Sequence, residues 1–243
     1  MNSLSGKYRT ISVLVFFLGV ATVTYAYITS QPAMQSATTG FTLTSKMTFT
    51  PSGSNTNQIT GSRVRYQKSN GAFKQITTYL KADGTPDKVV TLVGVLGRGV
   101  FEFSENAQSM EFLSPMRAQI PMMSEAEIRN THHHNSLRDD VVQGYKTLVV
   151  RLPGENSKAF TELYHAFALQ DFPIKTINVT DAGILTIEPT KIELGEPSHN
   201  LLALPNLPIS YERFEQKIQS MEESGRHDTA ETMRQQLLDA KRP

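Results

Sequence analysis

FTLTSKMTFT, residues 41–50, is the stretch that decides how the chain folds. Phe41, Leu43, Met47 and Phe49 alternate with Thr42, Thr44, Lys46 and Thr48. A period of two sends the first set to one side of a β-strand and the second to the other. Pro51-Ser52-Gly53 then closes the run as a turn would. A strand that is apolar on one side only belongs to an antiparallel sheet with one face on a core.

The same signature recurs outward from this segment. Strand patterns occur at 62–68, 73–81, 88–96, 100–104 and 109–113, separated by Ser69-Asn70-Gly71, Ala82-Asp83-Gly84 and Gly97-Arg98-Gly99. Without strand–helix–strand alternation, an antiparallel meander is expected and a doubly wound parallel sheet is not. Residues 114–143 differ: Ser124 and Glu127 form a capping-box pattern, with Ala126, Ile128 and Leu137 as thinly spaced helix-face positions. One or two short helices or an ordered loop are expected there. Strand patterning resumes at 145–152, 159–167, 174–180 and 184–194, and Pro197, Pro205 and Pro208 mark an irregular stretch closing the domain. From 209 to 241 the period becomes helical, with Phe214, Ile218 and Met221, then Ala230, Met233 and Leu237. Ser224-Gly225 falls where a C-cap would sit and Asp228 where an N-cap would, so a helical hairpin is expected.

Ahead of the first strand, Lys7 and Arg9 precede an apolar run at 11–28. At 1.5 Å per residue the run covers about 27 Å, just enough to span a hydrocarbon core. Positive charge before it and none until Lys46 implies a cytoplasmic N-terminus and an exported remainder, in the periplasm or extracytoplasmic space. The run reads as an uncleaved single-pass anchor in an inner membrane, as a signal peptide whose cleavage would leave a periplasmic protein, or, as a minor alternative, as a buried core helix. The expected division is 1–29 anchor or signal, 30–40 flexible tether (SQPAMQSATTG), 41–208 β domain and 209–243 helical hairpin.

Composition narrows function by exclusion. With 24 Lys+Arg against 23 Asp+Glu in 243 residues, the net charge of +1 gives no electrostatic reason to bind nucleic acid. The absence of Cys removes disulfides, thiolate metal sites, cysteine nucleophiles and an acylated lipobox. Gly94, Gly97 and Gly99 lack both the phosphate-loop order and a following helix, and read as a hairpin turn. Neither G-x-S-x-G nor H-E-x-x-H occurs, and the carboxylates are scattered, so no enzyme activity and no cofactor are expected.

Three groups of residues remain as candidates. His132-His133-His134, with Asp139 and Asp140 nearby, has metal-ligating chemistry, but consecutive side chains diverge, so a solvated polar loop is the expectation and no metal ligand is assigned. Met110, Phe112, Met116, Ile120, Met122 and Met123 concentrate flexible apolar side chains, read either as core or as a lid or groove edge contacting acyl chains. Phe214, Ile218, Met221, Met233 and Leu237 stripe the hairpin, either to pack on the sheet or to dock a protein partner.

Residues 144–205 carry a further arrangement: Gly144-Tyr145-Lys146-Thr147, Glu162-Leu163-Tyr164-His165-Ala166, Phe172-Pro173-Ile174-Lys175, Glu188-Pro189, Gly195-Glu196-Pro197 and Leu204-Pro205. It resembles exported bacterial proteins with a domain similar to the LolA/LolB lipoprotein-carrier superfamily, with Tyr164 in place of the common Trp. The resemblance implies a mainly β, α+β fold: a curved antiparallel sheet, an incomplete barrel, with a helical segment near 113–137 covering its concave face. It implies a membrane-tethered binding domain for a lipid or other apolar ligand. The alternatives are an interaction module of an envelope complex docking through the C-terminal helices and, as a minor one, a metal-dependent hydrolase.

Overall fold

A computed structural model of the chain describes residues 40–116, 124–154, 156, 158–169 and 171–242. The expected membrane segment at 11–28, the tether up to residue 39, and Ile120, Met122 and Met123 lie outside these residues. Among the described residues, no helix is long and apolar enough to cross a membrane.

Strand β1 (Phe41–Pro51) keeps the alternation that its sequence shows, with Phe41, Leu43, Ser45 and Met47 buried. It lies between β2 (Gln58–Gln67) and β11 (Gly183–Leu194), near the middle of one twelve-stranded sheet. On one side the chain meanders through β2, β3 (Phe73–Leu80), β4 (Pro86–Val95), β5 (Gly99–Ser104) and β6 (Met110–Ser114). On the other, β7 (Ser136–Val142), β8 (Tyr145–Pro153), β9 (Phe160–Ala166) and β10 (Phe172–Thr180) lead back to β11. All these pairings are antiparallel, but β12 (Ile209–Ser210) runs parallel to β6, with the Met110 amide donating to the Pro208 carbonyl at 2.9 Å. The sheet is therefore mixed, not wholly antiparallel, and it stays open between β12 and β7.

Its curvature shows in one contact. The Arg65 guanidinium of β2 lies 3.8 Å from the ring centroid of Phe73 on β3 and 4.6 Å from that of Phe172 on β10. Three strands separate β3 from β10, so a flat sheet could not bring both rings to one side chain.

Residues 124–143 hold the expected short helix and, beyond it, an unexpected strand. Helix α1 (Glu125–Thr131) does begin at the capping box: Ser124 Oγ accepts from the Glu127 amide at 3.2 Å, and Glu127 accepts from the Ser124 amide at 2.7 Å. The next element is strand β7, so Leu137 belongs to a sheet and not to a helix face. β7 joins β8 through Gln143-Gly144 with φ of 52° and 80°, the left-handed pair that a tight hairpin turn requires. The tail forms α2 (Glu212–Glu223) and α3 (His227–Lys241). Gly225, at φ 76°, ends α2: its amide donates to Glu222 O at 2.9 Å and that of Arg226 to Met221 O at 2.9 Å. Asp228 is not the N-cap; it sits in the first turn of α3, where its charge meets the positive helix end.

Directly opposed residues in antiparallel strands share a face. Tracing Leu148↔His165, Val150↔Leu163↔Thr176↔Ile187↔Met47, and along β1 to Leu43↔Arg65↔Gln75, defines one face. Helix α1 packs there, through Ile128 on Leu148 and Val150. The hairpin packs on the opposite face, where Phe214, Ile218, Ala230, Met233 and Leu237 meet Phe101, Met110 and Phe112. The Phe112 ring stands 5.2 Å from Phe214 and 5.8 Å from Phe101. Phe214→Ala is expected to lower unfolding stability by about 3–5 kcal/mol, within a single urea transition, because it empties a buried site shared by sheet and hairpin.

Candidate functional site

The face that carries α1 is polar at its centre. Arg63, Arg65 and Gln67 stand at alternate positions of β2, opposite Ser45, Leu43 and Phe41 on β1 and Thr77, Gln75 and Phe73 on β3. Arg65 is only 5% exposed, yet its hydrogen bonds go to neutral groups. Its Nε and one terminal nitrogen donate to Gln67 Oε1 at 3.0 and 2.7 Å, and the other reaches Gln75 Oε1 at 3.5 Å. Gln67 is itself oriented, because its amide nitrogen donates to Gly71 O at 2.9 Å. Arg63 Nε is buried without a hydrogen-bond partner. Burial, and then the charge of Arg63, pull Arg65 down to about 9; burial also lowers Arg63.

Apolar groups flank this centre in separate clusters. Met47, Leu185 and Ile187 form one on β1 and β11, with Phe49 and Tyr79 packed beside them. Phe73, Val100 and Leu113 form another, with Leu92 and Met116. Gly94 makes room for it: a Cβ there would lie 2.4 Å from the Phe73 ring and 2.8 Å from Met116 Sδ. A third lies beneath α1.

A buried His–Asp–His group secures the end of α1. His132, the C-cap residue, brings Nε2 to 3.3 Å from Asp171 Oδ2, and His165 of β9 brings Nδ1 to 2.9 Å from Asp171 Oδ1 and 2.8 Å from Asp171 O. Asp171 adopts φ 58°, a left-handed conformation that Asp tolerates. Burial alone would raise its pKa, but hydrogen bonds from both imidazoles and their charge outweigh that and hold it at about 2. One ligand atom from each of the three residues lies within 4.8 Å of the others, so among the described residues these could hold a metal. Their contacts already tie α1 to the β9–β10 connection.

The placement of the candidate residues is mixed. Of the described members of the methionine group, Met116 lies on this inner face, whereas Met110 and Phe112 are buried on the other side, under the hairpin. Phe214, Ile218, Met233 and Leu237 are buried in that same contact, and Met221 packs against it half-buried. The stripe therefore faces the sheet and is not an open docking surface. The solvated loop expected for the histidines describes His133 and His134, which are exposed, but His132 turns inward to meet His165 and Asp171. Asp139 instead pairs with Arg129. Nothing in the sequence links His165 and Asp171 to His132, because a loop conformation unites them and no fixed spacing does. Arg63 and Arg65 do carry a signal: two cations at i and i+2 inside a strand share a face.

Several residues of the 144–205 arrangement hold the frame. Glu162, buried on the outer side of β9, receives Arg151 at 2.6 Å and Arg138 at 3.0 Å, and the Tyr164 hydroxyl donates to it at 3.2 Å. Glu196 Oε1 accepts from the amides of Gly40 at 3.1 Å and Ser69 at 2.9 Å, clamping the start of β1 to the β2–β3 turn.

Asp171 supplies a pH dependence whose sign is fixed. Its folded pKa of about 2 lies below the ordinary 3.8, so it stabilises the fold above pH 3.8 and that contribution is lost as pH falls towards 2. The difference is worth about 2 kcal/mol. Asp171→Asn should therefore lower the urea midpoint at pH 7, and the gap to the wild type should narrow between pH 4 and pH 2.

No family model matches the chain, and no curated protein matches it. Solved structures do. A LolA superfamily protein from Nitrosomonas europaea aligns over 70% of this chain and 93% of its own, at 10% identity and a TM-score of 0.35. The Mycobacterium tuberculosis lipoprotein LppX aligns over 65% of this chain and 88% of its own, at 13% identity and a TM-score of 0.29. The first of these bears the name of the superfamily that residues 144–205 resemble.

Proposed function

We propose that the chain is an exported, membrane-tethered binding domain that holds a lipid or other apolar ligand against the inner face of its curved sheet, without catalysis. The observation that carries this reading is the composition of that face. Beside the larger cluster that takes in Phe41 and Leu43, its apolar side chains divide into three smaller clusters around a polar centre. A domain built only for stability usually gathers most such residues into one contiguous core with small satellites. A divided apolar face on a curved sheet suits a guest that completes the packing. The resemblance of residues 144–205 to the lipoprotein-carrier superfamily points the same way. Lys7 and Arg9 before the apolar run support the tether, and the absence of Cys leaves the run itself, not an attached lipid, to hold the protein at the membrane.

Native mass spectrometry of the chain purified from membranes, before and after lipid extraction, tests this reading. The expected result is a full-length species near 27.0 kDa carrying a lipid-sized adduct that extraction removes. A species with no adduct, unable to take up added lipid, overturns ligand binding. A shortened species accounting for all material overturns the tether.

A further inference from the structure

The two arginines on the inner side of β2, Arg65 buried and Arg63 half-buried, differ from the exposed Arg98 and Arg226, which also pair with no carboxylate among the described residues. Arg129, Arg138, Arg151, Arg213 and Arg234 each reach a carboxylate. Among the described residues, Arg63 and Arg65 reach none. Their cross-strand neighbours are Ser45, Leu43, Thr77 and Gln75, all uncharged. The two guanidinium groups lie close enough for the charge of Arg63 to depress the pKa of Arg65. Removing a cation from water costs several kcal/mol unless an opposite charge offsets it, and two like charges side by side add to that cost. Gln67, Gln75 and the rings of Phe73 and Phe172 hold Arg65 in place without neutralising it. Arg63 Nε has a buried donor left over. A planar guanidinium with donors to spare matches the oxygen spacing of a carboxylate or phosphate.

We infer that Arg63 and Arg65 seat the acidic head group, carboxylate or phosphate, of an anionic amphiphile whose hydrocarbon part lies against Met47 on one side and Phe73 and Leu92 on the other. The inference rests on the ligand-binding reading above and narrows it: the ligand is acidic, not merely apolar. The head group supplies the negative charge that the neighbours of Arg63 and Arg65 lack, and the chain fills the space between the separate apolar clusters.

Oleate and oleyl alcohol share one hydrocarbon chain and differ only in the head group, so the delipidated full chain titrated with each by calorimetry tests the inference. Oleate is expected to bind at least about tenfold more tightly. Arg63→Gln should remove that preference, weakening oleate binding about tenfold more than oleyl alcohol binding, and Arg63→Lys, which keeps the charge, should retain most of it. Lysophosphatidate run alongside shows whether phosphate or carboxylate is preferred; either result fits an acidic seat. Equal affinity for oleate and oleyl alcohol overturns the head-group site yet leaves lipid binding standing, and this comparison requires no variant to fold. Binding of neither overturns both readings. Inorganic phosphate binding as tightly as lysophosphatidate overturns the amphiphile, since the hydrocarbon would then contribute nothing.

Discussion

The contact that the architecture turns on is the Arg65 guanidinium held between Phe73 and Phe172. A charged group can lie this deep only where its surroundings offer donors, acceptors and π-faces in place of water. Two rings from strands far apart in the sheet order provide the faces, so the sheet must curl for the charge to be buried at all. Phe41, whose centroid lies 5.5 Å from Phe172, continues the contact onto β1. The strand that opens the domain thus meets the segment just after the His–Asp–His group. Curvature, the buried cation and the packing of β1 are one physical arrangement seen from three sides.

How much of this is legible in the sequence depends on whether burial is one-sided. β1 reads as a strand because its two faces differ in chemistry, and the strands of the first meander read for the same reason. β7 does not, because SLRDDVV lies at the sheet edge, where Arg138, Asp139 and Val141 face solvent and the alternation fades. The hairpin shows the complementary limit. Its apolar stripe is plain, but a stripe says only that something covers it, and Phe101 and Phe112 become that cover only once β5 and β6 have paired. The candidate site is least legible. The charge of Arg63 and Arg65 is in the sequence; that all their cross-strand neighbours are neutral depends on register, which local pattern does not supply.

The two buried carboxylates, Glu162 and Asp171, and the exposed Glu196 serve separate tasks, and their partners show which. Glu162 is matched by two arginines and a tyrosine, and locks β7, β8 and β9 together. Glu196 accepts backbone amides and clamps the start of β1. Asp171 meets two imidazoles at the point where the helix on the inner face ends. The hydrogen bonds of Arg65 reach none of the three, although Asp171 is the immediate chain neighbour of the residue stacked on it. The negative charge of the interior is committed elsewhere, which is why the centre of the inner face stays cationic.

That adjacency has a mechanical meaning. Asp171 carries the imidazole contact that fixes the C-terminal end of α1, and Phe172 carries the ring that roofs Arg65. Consecutive Cα atoms are 3.8 Å apart whatever the conformation of a trans chain, so the two cannot shift independently by more than the intervening dihedral angles allow. Pro173 comes directly after and fixes its own φ, restricting those angles further. The position of the inner-face helix and the closure over the buried guanidinium are therefore set by one short segment. Its left-handed residue is held there by the same histidine, His165, whose ring also contacts that of His132 at 4.8 Å.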